Sequence, residues 1–226
     1  MVSLLAQSGY LAQAKSKPKD ERKDELGTYS IIHAIPSGFG ADIVDIYANG
    51  ALVIDNATPG SIRNFTVVKG RVNVKIYANG VVPSETATPL LASNEISIGK
   101  QSDFSFVAHL TSDEKPKLSV FKNMVTSAGK KRSWLTLRHI AAAPVVQFRV
   151  NGDRTFIPVE NGMERKKSYL TKIYSVSATV PESTTVLVGP TPVTLTRETN
   201  TVVYLWGAKS KGNLSFIKQE TPAVND

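Results

Sequence analysis

The chain has 226 residues, of which 41% are hydrophobic and 20% are charged, and its formal net charge is +8. These proportions are typical of a folded globular protein and exclude general disorder. Cysteine is absent, which excludes disulfides, thiolate metal sites and cysteine nucleophiles. No apolar stretch approaches the roughly 20 residues of a transmembrane helix, so we expect no membrane-spanning segment. Val, Thr and Ile are abundant, which favours a β-rich fold.

Residues 1–27 differ in composition from the rest of the chain. Residues 1–14 contain a short apolar pattern, and residues 15–25 mix basic and acidic side chains, as solvated tethers do. Ala12-Gln13-Ala14 resembles a signal-peptidase site, although no basic residue precedes Lys15. We therefore predict an N-terminal arm over residues 1–27, in which residues 1–14 are either the remnant of a leader or a docking segment.

A pattern repeats in the remaining sequence with a period of about 100 residues. In each copy, a strand-like segment that contains a histidine is followed by an extended run ending in Asn-Gly, and two further apolar segments come later. The matching segments are Tyr29–Ala34 with Leu135–Ile140, Asn49-Gly50 with Asn151-Gly152, Asp103–Ala108 with Asn200–Leu205, and Lys117–Lys122 with Asn213–Lys218. Because solenoid units are only about 20–50 residues long, this period indicates two whole domains.

Within each copy the side chains alternate as they do in β-strands. Val72, Val74 and Ile76 are separated by polar residues, which places the apolar set on one face. Asn-Gly pairs supply the positive φ angles of type I′ hairpin turns, and three of the pairs in the sequence are at residues 49–50, 79–80 and 151–152. We therefore predict an all-β protein of two tandem antiparallel Ig-like β-sandwiches over residues 28–123 and 134–226, joined by a linker over residues 124–133.

The positive charge is concentrated in the last part of the chain. Residues 28–123 carry eight basic and eight acidic residues, whereas residues 124–226 carry fourteen and seven. The densest basic segments are Lys130-Lys131-Arg132 and Arg165-Lys166-Lys167. They predict either a patch for an anionic partner or an ordinary solvated face that keeps the protein soluble.

Four segments of the first copy form a recognisable series: Tyr29–Ala34, Ala41–Gly50, Thr58–Phe65 and Val68–Val74. Together they resemble a bacterial family of domains of unknown function, number 4397. The later segment Trp134–Gln219 is a weaker copy, which keeps His139 but has Gln147–Val150 in place of the Asp-Ile-Tyr strand. The resemblance implies Ig-like sandwiches of secreted or cell-wall proteins, and it supplies no catalytic residues. We therefore expect an extracytoplasmic protein.

Few residues are candidates for chemistry. His33 and His139 occupy equivalent strand ends in the two copies, so we expect each imidazole to bridge its strand to a neighbouring loop. The sequence contains no metal-ligand spacing, nucleophile elbow, phosphate-binding loop or dinucleotide fingerprint. We therefore expect no enzyme activity, no metal and no cofactor.

Tyr47 and Tyr77 lie in a sequence that occurs twice, Ile-Tyr-Ala-Asn-Gly, on the strand face opposite to the apolar residues. If their strands pair, the two rings form one of two arrangements. One is an aromatic platform for a ligand, and the other is a cross-strand contact that stabilises the sheet.

Together these features predict a non-catalytic extracytoplasmic structural protein, such as a self-assembling subunit of a surface layer, sheath or filament. Its partner would be a second copy or another surface protein, because the edge strands of open sandwiches accept an additional strand. The alternative is an adhesive module that binds an anionic polymer through the basic second domain. Such a polymer would be a wall glycan, a teichoic acid or a nucleic acid.

Overall fold

The computed structural model of the protein describes residues 26–154 and 156–223. Its N-terminal half, residues 26–123, consists of the strands β1 (Leu26–Ala34), β2 (Val44–Ala48), β3 (Ala51–Ala57), β4 (Ile62–Val68), β5 (Gly70–Val72), β6 (Val74–Ala78), β7 (Leu91–Ala92), β8 (Ile96–Ile98), β9 (Asp103–Leu110) and β10 (Pro116–Lys122). Its C-terminal half, residues 132–223, consists of β11 (Arg132–His139), β12 (Gln147–Val150), β13 (Met163–Leu170), β14 (Ile173–Thr179), β15 (Val186–Thr194), β16 (Thr199–Trp206), a 3₁₀ turn (Lys209–Lys211) and β17 (Ser215–Pro222). The prediction of an all-β, sandwich-like fold is confirmed. Across these two described ranges, no helix is both long and apolar enough to cross a membrane.

Each half contains two main sheets that pack face to face. In the N-terminal half the inner sheet has the strand order β10-β9-β1-β4 and the outer sheet has the order β3-β2-β6-β7. In the C-terminal half the inner sheet is β13-β11-β16-β17 and the outer sheet is β12-β14-β15. Phe106 of the inner sheet and Ile46 of the outer sheet belong to the first core, and Leu137 and Phe148 belong in the same way to the second.

The two inner sheets have the same pairing scheme. β1 pairs antiparallel with β4 and parallel with β9, and β11 pairs antiparallel with β13 and parallel with β16. The parallel pairs depart from the purely antiparallel pairing that the sequence predicted. The chain returns to the inner sheet twice, first as an antiparallel strand (β4 or β13) and then, after a second passage through the outer sheet, in its original direction as β9 or β16.

The inner sheets also pack against each other, so the four sheets form consecutive layers. Buried side chains from both halves form a third apolar cluster: Ile32, Ala34, Val107, Ile140, Val202 and Tyr204. Because side chains alternate along a strand, β1, β9, β11 and β16 face their own core on one side and the other half on the other side. Strands covered on both faces are rich in apolar residues throughout, which explains the composition of these four.

Strands extend into the predicted arm and the predicted linker. β1 begins at Leu26, whereas residues 1–25 lie outside the described residues, so the leader and docking hypotheses for residues 1–14 stay predictions. β11 begins at Arg132, inside the predicted linker. The earlier part of that linker contacts the C-terminal half, since Asn200 Nδ2 donates a hydrogen bond of 2.9 Å to Met124 O.

The Asn-Gly turns at residues 49–50 and 151–152 have the backbone that a type I′ turn needs. The φ angles are 49° and 81° for Asn49 and Gly50, and 53° and 84° for Asn151 and Gly152. In both turns the Asn side-chain oxygen accepts a hydrogen bond of 2.9 Å from a backbone N–H of the neighbouring segment. The two turns are therefore held in the same way.

The prediction of a type I′ hairpin at Asn79-Gly80 is wrong. Within this pair only Gly80 has a positive φ angle, of 77°, and Val81 N–H donates to Ala78 O over 3.0 Å, as in a type II turn. A tertiary contact fixes this geometry, because Gly80 N–H donates to Asp45 Oδ2 over 2.7 Å. β6 consequently returns to pair with β7 only after a longer connection.

Candidate functional site

A cleft of about 420 Å³ opens on the outer sheet of the N-terminal half. Tyr47 of β2 and Tyr77 of β6 both line it, and their rings meet edge to face with centroids 5.5 Å apart. The two strands pair antiparallel, which brings the rings onto one face. Tyr47 is 9% and Tyr77 is 2% exposed, and Pro83, from the segment after β6, lines the same cleft. The cross-strand contact between the two rings is therefore present, and the aromatic platform for a ligand stays a prediction.

Polar side chains surround the two rings of this cleft. Arg71 and Glu95 form an exposed ion pair of 2.9 Å at its rim. Lys75 lies directly opposite Tyr47 in the strand register, and its ammonium group has no ion-pair partner among the described residues. The side chain of Asn73 also lines the cleft. The site thus combines aromatic surface, an amide and one unpaired positive charge.

The C-terminal half has a cleft of about 370 Å³ at the same place in its outer sheet. Its strands β12 and β14 pair in a register equivalent to that of β2 and β6, so Arg149 takes the position of Tyr47 and Thr179 that of Tyr77. Arg149 is fixed by hydrogen bonds to Thr179 Oγ1, Gly152 O and Ser183 O. This second cleft has no aromatic lining among its described residues.

The structure does not gather the six predicted basic residues on one surface. Along β13, Arg165 and Lys167 lie on the face that carries Tyr169, whereas Lys166 lies on the opposite face, 3.4 Å from Met124 Sδ. Arg132 is engaged, because its guanidinium donates to Ser168 O over 2.6 Å. The predicted patch is therefore divided.

Lys130 and Lys131 are exposed in the turn before β11. Thr171 N–H donates to Lys131 O over 2.9 Å, which brings the end of β13 beside this turn. Lys172, the next residue, is also exposed. A smaller basic surface at one end of the C-terminal half thus replaces the predicted patch of six.

A buried polar network joins the two inner sheets. Arg138 is 1% exposed, and its guanidinium donates to Glu164 Oε2 over 2.6 Å, to Tyr204 Oη over 2.8 Å and to Asn123 Oδ1 over 2.8 Å. It also lies over the ring of Phe121, 4.5 Å from its centroid. One C-terminal side chain therefore contacts two residues of the N-terminal half, and a buried cation needs such partners to offset its desolvation.

The network continues from Asn123 and Tyr204 into both inner sheets. Asn123 Nδ2 donates to Asp103 Oδ2 over 2.8 Å, and Gln219 Nε2 donates to Ser30 Oγ over 2.7 Å. Burial raises the pKa of Asp103 and the pKa of Tyr204, although Arg138 acts in the opposite direction on both. Tyr204 consequently stays protonated and can donate to Gln219 Oε1.

The three histidines are buried and make local contacts. His33 Nε2 donates to Ala41 O over 2.7 Å, and His139 Nε2 donates to Pro144 O over 2.9 Å, so each ring links its strand end to the following loop. Burial lowers the pKa of both rings, and it lowers the pKa of His109 to about 4. Within the described ranges, no group of three His, Asp or Glu side chains is arranged to hold a metal ion.

Two features of the structure, the burial of Arg138 and the completion of the cleft by distant segments, are not among the predictions made from the sequence. Arg138 is one of the fourteen basic residues of the C-terminal part of the chain, and the presence of Trp134, Leu135 and Leu137 in the same strand is a signal that it is buried. The cleft that Tyr47 and Tyr77 line also includes Pro83 and Glu95, which are distant in sequence from β2, and no local pattern predicts that they meet there.

Comparison with known proteins gives one family match. A family model described as Domain of unknown function (DUF4397) matches residues 27–149. The match begins in β1 and continues through the predicted linker into β12. No curated protein matches the sequence.

Two solved structures show distant similarity. The Bacillus anthracis TIE protein is 10% identical with a TM-score of 0.24, and the alignment covers 80% of this chain and 33% of that chain. This chain therefore spans about a third of the length of that protein. A family CBM26 module, CBMbc from Eubacterium rectale Amy13K, was solved in complex with maltoheptaose. It is 8% identical with a TM-score of 0.22, over 88% of this chain and 98% of that chain.

The TM-scores of these two structures are too low to establish a common fold. The family match has a firmer basis, because it covers more than half of the 226 residues and includes both inner-sheet strands β1 and β11. The chain therefore belongs to the family described as Domain of unknown function (DUF4397).

Proposed function

We propose that this protein is a non-catalytic extracytoplasmic structural protein in which two copies of one sandwich act as a single unit and assemble at the cell surface. The observation that carries the proposal is the buried network around Arg138, which crosses between the inner sheets. Flexible tandem domains expose polar, weakly packed interfaces. Here apolar residues and a satisfied buried cation fill the interface instead.

Two further features support this proposal. The inner sheets of the two halves share one pairing scheme, which is what two copies of one domain would give. β4, β10, β13 and β17 are the outermost strands of the inner sheets, so each has one side without a strand partner among the described residues. Such edges accept strands from other chains.

The experiment is to measure the mass of the full chain by light scattering over a range of concentrations and to examine it by electron microscopy. We expect oligomers or filaments whose population rises with concentration. Deletion of residues 1–14 should lower the mass if these residues dock onto a second copy. A monomer at every concentration would overturn the assembly, and unchanged assembly after the deletion would overturn the role of the arm.

A second candidate function is the binding of an anionic polymer by the C-terminal half. Lys130, Lys131 and Lys172 are exposed at one end of this half, and none of them forms an ion pair with a described residue. Unpaired lysines bind phosphate or carboxylate polymers through counterion release, which makes the affinity fall steeply with salt.

The test uses teichoic acid and double-stranded DNA as probes, with the full chain at increasing salt concentrations. Substitution of Lys130, Lys131 and Lys172 by Gln should weaken binding and flatten the salt dependence. The matched control substitutes Lys115, Lys117 and Lys122 of the neutral half by Gln, and it should leave binding unchanged. Equal effects of the two triple variants, or binding that does not depend on salt, would reject this function.

A further inference from the structure

We propose that the cleft between Tyr47 and Tyr77 is a binding site for an acidic saccharide unit, such as a uronic acid residue of a glycan. This site is in the N-terminal half, so the proposal does not depend on the basic surface of the C-terminal half or on self-assembly.

The shape and lining of the cleft fit a sugar ring. Its volume of about 420 Å³ lies in the range of small-molecule sites, about 300–1,000 Å³. Tyr47 is 9% and Tyr77 is 2% exposed, so the two residues line the cleft with little free ring surface. Neither phenol oxygen forms a hydrogen bond with a described residue, so both hydroxyl groups can bond to a ligand.

The charges of the cleft select an acidic ligand. Arg71 and Glu95 neutralise each other across 2.9 Å, and Lys75 remains as one unpaired cation within the lining. A neutral sugar would leave this ammonium group without a counter-charge, whereas a carboxylate on the sugar would pair with it. The amide of Asn73 provides a further donor and acceptor at the same surface.

The equivalent cleft of the C-terminal half indicates that the fold itself does not require the tyrosines. The same strand register there holds Arg149 and Thr179 in place of the two rings, and Ser177 in place of Lys75. Three internal acceptors engage the guanidinium of Arg149. A strand pair of this geometry therefore forms without an aromatic pair and without a lysine at these positions.

The experiment measures calorimetric binding of oligogalacturonate to the full chain. A neutral maltooligosaccharide tests the need for the carboxylate, and polyglutamate tests the need for the sugar. We expect oligogalacturonate to bind more tightly than either. Lys75→Gln should weaken its binding about two- to fivefold, as expected for one exposed charge pair, and Tyr47→Ala should weaken it about tenfold or more.

Three controls keep the test decisive. Ser177→Ala alters the position equivalent to Lys75 in the other cleft, and it should leave binding unchanged. Tyr47→Phe and Lys75→Gln keep the cleft packing, so they test the proposal even if Tyr47→Ala does not fold. The triple Gln variant of Lys115, Lys117 and Lys122, none of which lines the cleft, should bind oligogalacturonate as the unmodified chain does.

Each of four results would overturn the proposal. The first is an unmodified chain that does not bind oligogalacturonate. The second is binding that survives both Lys75→Gln and Tyr47→Phe. The third is equal binding of polyglutamate, which would show that only charge is recognised. Loss of binding in the Lys130, Lys131 and Lys172 variant would place the ligand on the basic surface instead.

Discussion

Substitution of Arg138 by methionine tests whether the buried network stabilises the contact between the two halves. Methionine keeps most of the apolar length of the side chain, so the main loss is the guanidinium group. That group donates to Glu164, Tyr204 and Asn123 at 2.6–2.8 Å in a position that is 1% exposed. All three acceptors lose a charged donor in the variant.

The expected cost follows from the burial of the ion pair. Removal of one partner from a buried pair costs about 3–5 kcal/mol, because the remaining charge is left without compensation. The side chain of Glu164 is 27% exposed, so water hydrates part of the remaining carboxylate. We therefore expect the lower end of the range, about 3 kcal/mol of unfolding free energy.

The assay is urea-induced unfolding followed by the fluorescence of Trp134 and Trp206. The matched control is Arg197→Met, because Arg197 pairs with Glu198 at the surface with side-chain exposures of 75% and 58%. This control should cost less than about 1 kcal/mol. Adding Glu164→Gln to Arg138→Met should recover part of the loss, because it removes the unpaired carboxylate. If Arg138→Met and Arg197→Met shift the midpoint equally, the network does not contribute to stability.

Three further predictions concern the buried polar groups and one strained glycine. Burial lowers the pKa of His109 to about 4, below its value of about 6.5 in the unfolded chain, so its contribution to stability is present above pH 6.5 and is lost as the pH falls towards 4. The unfolding free energy should fall by about 3 kcal/mol over this pH interval. In the His109→Gln variant it should depend less on pH over the same interval. If the unmodified chain and the variant give parallel curves of unfolding free energy against pH, the prediction is wrong. Gly207→Ala should lower the unfolding free energy by about 2 kcal/mol or more, because the φ of Gly207 is 98° and a Cβ there would lie 2.6 Å from Asn213 O. Gly38→Ala should lower it less in the same urea assay, because Gly38 has a φ of 87° but open space around the Cβ. Asp45→Ala should lower the unfolding free energy by about 1–3 kcal/mol, because it leaves the N–H groups of Asn56 and Gly80 without their acceptor. The control Asp42→Ala should change the unfolding free energy little, because the hydrogen bond from Gly38 N–H to Asp42 is exposed.

The strands and the tight turns could be predicted from the sequence because local patterns encode them. Val72, Val74 and Ile76 alternate with polar residues and are buried in the first core. Asn49-Gly50 and Asn151-Gly152 have the left-handed backbone that this dipeptide favours. Asn79-Gly80 shows the limit of such patterns, because the buried carboxylate of Asp45 binds Gly80 N–H and changes the turn.

The candidate site was only partly predictable. Tyr47 and Tyr77 were identified as a pair from their repeated sequence, and the strand register places their rings in contact. The cleft around them also needs Arg71, Pro83 and Glu95, which come from other segments. Alternation assigns a side chain to a face of its own strand, but it carries no information about which distant loop covers that face.

The sequence by itself determined the all-β fold and the positions of most inner-sheet strands, because side-chain alternation and turn residues act over a few neighbouring positions. It also located the excess positive charge in the C-terminal part of the chain. Only the tertiary structure decided how that charge is used. Arg138 is buried at the contact between the inner sheets, Arg149 is held within its own half, and Lys130 and Lys131 remain exposed. The physical reason is that burial and pairing of a charge depend on contacts between residues far apart in sequence, whereas composition counts every charge equally.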